Sequence, residues 1–345
     1  MMDERLETAA PCVDSGAPGK PELLCANPRT RVRIGQRIGL IVGPTGSGKT
    51  AFAIEVAARL GAEIVNADSR QLYRRMDLGT AKPTAADRAR IPHHLIDVCD
   101  PGTPIDVAEF AAMAQTAIAE IAARGRPALV VGGSGLYLRV LREGIFTGPR
   151  ASRQYRAELG VVAAERGAEE LHRRLSKVDP SAAQRIGAND LPRLVRALEV
   201  YEASGIPISE HQRRHRIAGG GYENLCVGLT VGRDRLYLRI DRRFDAMMAA
   251  GLVEEVRGLL ASGDRRASVA MQTIGYREIA QYLEGTLTLA AAIDAAKRES
   301  RRLAKRQMTW FRRERDLVWL DPDRGIEEAV RLFREFFQAP PSDEP

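Results

Sequence analysis

The stretch Gly43-Pro44-Thr45-Gly46-Ser47-Gly48-Lys49-Thr50 constrains this chain more than any other. It follows the apolar run Ile38-Gly39-Leu40-Ile41-Val42 and precedes Ala51-Phe52-Ala53-Ile54-Glu55-Val56-Ala57-Ala58, which has the composition of a helix. Strand, glycine-rich turn and helix are the context in which G-x-x-x-x-G-K-T denotes a phosphate cradle. Gly43, Gly46 and Gly48 leave no side chain in the way of a close backbone approach. The amides open a helix, where unpaired N–H donors and the macrodipole favour an anion. Lys49 adds a full positive charge, and the Thr50 hydroxyl suits a magnesium ion on the bound phosphate. The chain is therefore expected to bind a polyphosphate.

The 345 residues leave room for two domains, or for one with an insertion. A net charge of +7 and a pI near 9.4 call for an anionic partner larger than a small phosphate. Cys12, Cys25, Cys99 and Cys226 lie far apart without C-x-x-C spacing, which points to neither a disulfide framework nor zinc and suits a reducing cytosol. No apolar run is long enough for a membrane helix. Asp3, Glu4 and Glu7 with no apolar stretch behind them do not read as a secretory signal.

Residues 1–36 are rich in proline, glycine and charge and read as a disordered extension. Strands are expected at Ala62–Asn66, His93–Val98, Ala128–Val131, Leu225–Leu229 and Leu317–Leu320. Helices are expected at about Val107–Arg124, Phe244–Leu260 and Leu289–Arg315. This alternation argues an α/β fold, a P-loop-type parallel sheet flanked by helices. Residues 148–221 are basic, favour helix and lack strands, so they read as a helical insertion between the core segments 37–147 and 222–335. Asp68 and the Gly132-Gly133-Ser134-Gly135 turn each follow a strand, at the end where ligands of open parallel sheets sit.

Two features bear on chemistry. An ATP-hydrolysing P-loop protein usually closes a second apolar strand with an acid, whereas here that strand ends in Gly132-Gly133-Ser134. Ile96-Asp97 is a possible substitute. This disfavours hydrolysis and leaves transfer chemistry on a phosphorylated compound open. Second, nine basic and only two acidic residues lie between Lys297 and Arg315, interleaved with Trp310 and Phe311, rings on which a base could stack. A solvated helix face is the bland alternative. Arg70, Arg74, Arg75, Arg193 and Arg196 are candidates to extend the surface.

Several further segments, taken with the P-loop, resemble tRNA dimethylallyltransferases of bacterial type. They are Asn66–Tyr73, Met76–Pro83, Pro92–Asp97, Val131–Tyr137, Asn189–Val200, Asp241–Met247, Gln272–Glu278 and Lys305–Arg312, in order across roughly residues 38–321. The resemblance implies transfer of a dimethylallyl group from dimethylallyl diphosphate to the exocyclic amine of the adenine 3′ of the tRNA anticodon. In that case Gly43, Pro44, Thr45, Gly46, Ser47, Gly48, Lys49 and Thr50 hold the diphosphate, with magnesium on Thr50. Asp68 matches the family's catalytic base, Ser134 replaces its usual threonine, and Lys49 stabilises the leaving group. Without the resemblance, a helix N-cap is an equal reading of Asp68. The tRNA contacts carried over are Asp68, Ser69, Arg70, Gln71, Ser134, Arg156, Pro192, Arg193, Leu194, Val195 and Arg196. To these it adds Gln272, Thr273, Ile274, Gly275, Tyr276, Arg277, Lys305, Arg306, Gln307, Met308, Thr309, Trp310, Phe311 and Arg312. Pro192 stands where the family commonly has glutamine and offers no side-chain donor.

The expected partners are thus the tRNA anticodon stem-loop and dimethylallyl diphosphate, for a cytoplasmic monomer without a membrane. Two rivals remain: a P-loop small-molecule or nucleoside kinase using ATP, and a non-catalytic RNA-binding protein. The first predicts ATP consumption and indifference to tRNA. The second predicts salt-sensitive tRNA binding without isoprenoid turnover.

Overall fold

Along β1 (Arg37–Val42) apolar side chains alternate between two faces, and both faces are covered. A computed structural model describes residues 36–144, 148–149, 151–218, 221–263, 268–314 and 316–340. Apart from Gln36, the extension expected at residues 1–36 lies outside the described residues. The chain continues through α1 (Lys49–Leu60), β2 (Glu63–Asn66), α2 (Ala85–Arg90), β3 (His93–His94), α3 (Val107–Ala123), β4 (Ala128–Gly132) and α4 (Gly135–Glu143). Five helices follow: α5 (Arg153–Arg166), α6 (Ala168–Val178), α7 (Pro180–Arg185), α8 (Leu191–Ser204) and α9 (Ile208–Ala218). Then come β5 (Glu223–Leu229), α10 (Arg233–Ala249), α11 (Leu252–Ala261), α12 (Tyr276–Leu283), α13 (Leu289–Phe311), β6 (Leu317–Leu320) and α14 (Ile326–Gln338).

The six strands form one parallel sheet in the order β3-β2-β4-β1-β5-β6. Ile38, Leu40, Val42, Val65 and Val130 pack on one face with α3, α4 and the helices from α10 to α13. Ile41, Ile64, Leu129 and Val227 pack on the other with α1 and α14. The helices from α5 to α9 gather round a small apolar centre of their own, built on Leu159, Leu171, Leu175, Leu194 and Leu198. No described helix is long and apolar enough to cross a membrane.

Three expectations are corrected here. The strand at His93–Val98 is only two residues long, because Leu95 and Asp97 take φ values of 61° and 58° that leave the extended region. The helix at Phe244–Leu260 is two helices, α10 and α11, separated at Gly251 with φ 101°. The helix begun at Leu289 ends at Phe311, and Arg315 lies outside the described residues.

At the amino-terminal end of the sheet, away from the loops considered below, Glu63 is buried at the start of β2. It accepts hydrogen bonds from Arg124 Nε and Nη2 at 3.1 and 2.8 Å, and lies 2.7 Å from His94 Nε2. The Arg124 bonds are the main cause holding its carboxyl down at about 2, against burial. A carboxyl depressed in the fold contributes stability that is complete above its unfolded value and fades as pH falls toward the folded one. Glu63→Gln is therefore expected to destabilise the protein by about 1–3 kcal/mol at pH 5. Denaturant unfolding should show a narrower gap from wild type at pH 3; an equal gap at both values would remove the ionised carboxylate from the account.

Candidate active site

Sheet order decides what meets at the carboxyl-terminal edge. β2, β4 and β1 are consecutive neighbours, with Asn66 paired to Val131 and Gly132 to Val42. The loops leaving these three strands carry Asp68, Ser134 and the P-loop, so the strand pairing brings all three together. They line one cavity of about 970 Å³, whose far wall is made by Gln272–Ile274, Arg277 and one face of α13.

The phosphate cradle has the backbone its glycines permit. Gly46 and Gly48 have φ values of 81° and 90°, a region that L side chains enter only with strain. Gly48 caps α1 without any side-chain hydrogen bond, which leaves the first helical amides facing the cavity. Lys49 Nζ donates to Pro44 O at 2.8 Å and is half-buried. Desolvation lowers its ammonium to about 8, Asp68 opposing the shift and Arg243 adding to it. Ser47 is buried, and its Oγ has no hydrogen-bond partner among the described residues.

Asp68 sits across from this cationic floor. Asn66 clamps its main chain: Asn66 Oδ1 accepts from Asp68 N–H at 3.0 Å, and Asn66 Nδ2 donates to Asp68 O at 3.1 Å and to Leu95 O at 2.9 Å. Asp68 Oδ1 accepts from Arg70 N–H at 2.9 Å, so the carboxylate closes a local turn rather than capping a helix. Oδ2 has no hydrogen-bond partner among the described residues. Ser134 Oγ accepts from Ser69 N–H at 3.3 Å and so braces the residue after Asp68, not the Asp68 carboxylate itself. The alternative acid, Asp97, is occupied: it accepts from Lys82 at 2.5 Å and Arg88 at 2.7 Å.

The basic helix is sorted by packing. Lys297 pairs with Asp245 at 2.6 Å, Arg301 with Asp241 at 2.7 Å and Arg302 with Glu299 at 2.6 Å. Arg298, Lys305, Arg306, Arg312 and Arg313 are exposed and make no ion pair among the described residues, four of the five at or beyond Lys305. Charge available to an anion is therefore concentrated in the last turns of α13 and just beyond. Of the expected stacking pair, Phe311 is corrected. Phe311 is buried in the core, and the Trp310 ring lies against Gly135 and beneath the Arg139 guanidinium, 5.2 Å from its centroid. A Cβ on Gly135 would come within 2.5 Å of the indole, so only glycine permits this contact. Trp310 is half-buried and lines the cavity.

Of the other expected RNA contacts, Ser69, Arg70, Gln71, Gln272, Thr273, Ile274, Arg277, Arg306 and Gln307 line the cavity. Tyr276 does not: it is fully buried, bonding Glu255 and accepting from Gly79 N–H, so it supports the wall from behind. Leu194 is likewise buried in the apolar centre of the five helices, with Val195 packed against it. Arg156 makes a forked pair with Glu199, Arg196 donates to Gly148 O and Pro149 O, and Arg193 pairs with Asp190. All three lie on α5 or α8, away from the cavity lining. Pro192 and Arg193 are exposed at the start of α8, and Lys305, Thr309 and Arg312 on the outer side of α13, with Met308 half-buried beside them. Gly275 has φ 93° and caps α12.

Two residues escaped the sequence reading of the site. Arg243 Nη2 donates to Thr45 Oγ1 at 2.5 Å, and Arg239 Nη1 reaches Ser47 O at 3.5 Å while pairing with Asp323. The available signal was two arginines four apart on α10, beside the apolar face of Leu236, Ile240, Phe244 and Met247. Like charges one turn apart repel unless an anion or acid lies between them. The site can thus hold an anionic leaving group against amides, Lys49 and Arg243, with a carboxylate facing it.

Residues 71–314 match the family described as IPP transferase, and residues 36–95 match isopentenyl transferase. The chain is 49% identical over 285 residues to the tRNA dimethylallyltransferase of Geobacter metallireducens, covering 83% of this chain and 92% of that one. It is 49% identical over 303 residues to that of Symbiobacterium thermophilum, covering 86% and 94%. Among solved structures, the full-length tRNA isopentenylpyrophosphate transferase from Bacillus halodurans aligns with a TM-score of 0.66 at 41% identity, covering 87% of this chain and 96% of that one. A eukaryotic dimethylallyltransferase captured acting on tRNA aligns with a TM-score of 0.77 at 26% identity, covering 90% and 81%.

Proposed function

The chain belongs to the tRNA dimethylallyltransferase family, and we propose that its cavity moves a dimethylallyl group from dimethylallyl diphosphate to the exocyclic amine of the adenine 3′ of a tRNA anticodon. The observation that carries this reading is that the phosphate cradle, Asp68 with its Oδ2 unpartnered among the described residues, and the cations Lys49, Arg243 and Arg306 line the same cavity. The allylic carbon–oxygen bond breaks, and its electron pair leaves with the diphosphate. A carbon–nitrogen bond forms to the adenine amine, whose proton passes to Asp68 Oδ2. Lys49, Arg243 and the P-loop amides stabilise negative charge where it accumulates. Asp68 is suited to its part because the amine becomes a strong acid only as it bonds to carbon. The adenine has to leave its loop stack to enter.

Thr50 is the residue that would hold a magnesium ion. The described residues offer no cluster of three metal-ligating side chains, and magnesium on a diphosphate commonly takes few protein ligands. When bound, it would neutralise part of the diphosphate charge. The reading takes the chain to act as a monomer, and a tRNA substrate supports action in the cytoplasm. The kinase reading is not favoured: the relatives are tRNA dimethylallyltransferases, and Asp97, the substitute acid, is held by Lys82 and Arg88.

The test is incubation of the protein with labelled dimethylallyl diphosphate, magnesium and an unmodified anticodon stem-loop, without ATP. Label on the RNA supports the reading; a requirement for ATP, or RNA binding with no transfer, defeats it. Reversal of Arg306 and Arg312 to glutamate is expected to weaken stem-loop binding at least tenfold and to flatten its dependence on salt. An unchanged slope would place the RNA surface elsewhere.

A further inference from the structure

We propose that Gln307 is a positioning residue that couples RNA docking on α13 to the diphosphate cradle, an inference that rests on the reading above. Its carboxamide bridges two loops of the site. Oε1 accepts from Thr45 N–H of the P-loop at 2.8 Å, and Nε2 donates to Gly133 O, just before Ser134, at 3.0 Å. The approach is close by construction: a Cβ on Gly133 would lie 2.5 Å from Gln307 Nε2. Thr45 lines the cavity, so the side chain occupies a donor that an incoming diphosphate can use. A diphosphate oxygen makes the stronger, charge-assisted bond to that amide.

The same residue stands on the helix that presents free charge. Lys305 and Arg306 are its exposed neighbours, without an ion pair among the described residues, and Arg312 follows beyond the helix end. The first half of α13 is tied to α10 by Lys297–Asp245 and Arg301–Asp241. The second half meets the sheet loops through the Gln307 bridge and through Trp310 on Gly135. Phosphates drawn to Arg306 and Arg312 therefore load the half of the helix that carries the bridge. Two neutral hydrogen bonds are weak enough to yield to that load. Docked RNA withdraws Oε1 from Thr45, and the cradle regains a donor for the leaving diphosphate. By linkage, pyrophosphate tightens RNA by the same factor.

The experiment measures binding of inorganic pyrophosphate by calorimetry, with and without a saturating anticodon stem-loop, and the reciprocal titration. Wild type, Gln307→Met and Gln307→Glu are compared after thermal melts establish that each is folded. In wild type the stem-loop is expected to tighten pyrophosphate roughly tenfold. Gln307→Met should bind pyrophosphate alone about as well as wild type does with RNA, and its coupling factor should approach one. Gln307→Glu keeps an acceptor on Thr45 N–H but brings negative charge to the cradle, so it should bind pyrophosphate more weakly than wild type with and without RNA. Weaker pyrophosphate binding by Gln307→Met alone would make the residue a simple brace and overturn the proposal. An unchanged factor, or no coupling in wild type, would also overturn it. Label transfer by wild type is scored separately, so failure of the coupling is distinguishable from failure of the assigned reaction.

Discussion

Asp68→Asn is expected to slow transfer by about 10²–10⁴-fold under single-turnover conditions, while the stem-loop binds as tightly as before. The asparagine keeps an acceptor for Arg70 N–H, and the Asn66 clamp on the main chain is untouched, so the turn persists. What disappears is the capacity to take a proton at Oδ2. Without it, the amine has to surrender its proton to water instead. Single-turnover rates beside stem-loop dissociation constants separate the two outcomes. Loss of affinity at an unchanged rate would make Asp68 a binding residue instead.

Lys49→Ala is expected to lower kcat/KM for the prenyl donor by about 10²–10³-fold, again with RNA affinity intact. The lysine already holds the P-loop carbonyl of Pro44, so its Nζ is placed before any ligand arrives. Burial makes its charge costly, which brings its pKa down to about 8. An anion in the cradle reverses that cost, and the interaction grows as charge builds on the leaving group. Arg243 faces the same charge through its contact with Thr45. Arg243→Ala should therefore cost less in the Lys49→Ala background than in wild type, because neither cation acts independently. Donor kinetics on the four proteins of that cycle give the answer; strict additivity would show that the two cations serve different groups.

How much of this was legible beforehand differs by residue. The P-loop was readable in full, because strand, glycines, lysine and helix are neighbours in the chain and the backbone path depends on them alone. The strand after Pro92 was overread: its apolar pattern is right, but Leu95 and Asp97 adopt left-handed backbone that no periodicity reveals. Charge on the basic helix was counted correctly and apportioned wrongly. Asp241 and Asp245, which neutralise Arg301 and Lys297, lie more than fifty residues earlier. Trp310 and Phe311 are alike in the sequence as rings on which a base could stack, since composition cannot say that the core takes Phe311 while Trp310 packs on Gly135 at the cavity.

The amino-acid sequence by itself determined the local geometry of the anion cradle, the alternation that yields a parallel sheet, and the concentration of basic charge near the end of the chain. Each depends on residues within a few turns of one another. Tertiary structure alone decided that Asp68 stands opposite Lys49, that Arg243 joins them from α10, and that Gln307 ties the P-loop to the Gly133 turn. Those adjacencies follow from the β2-β4-β1 order and from the packing of α10 and α13 against the loops. Hydrogen bonds between neighbouring strands and burial of distant apolar faces set such positions, and neither is encoded by any short stretch of chain.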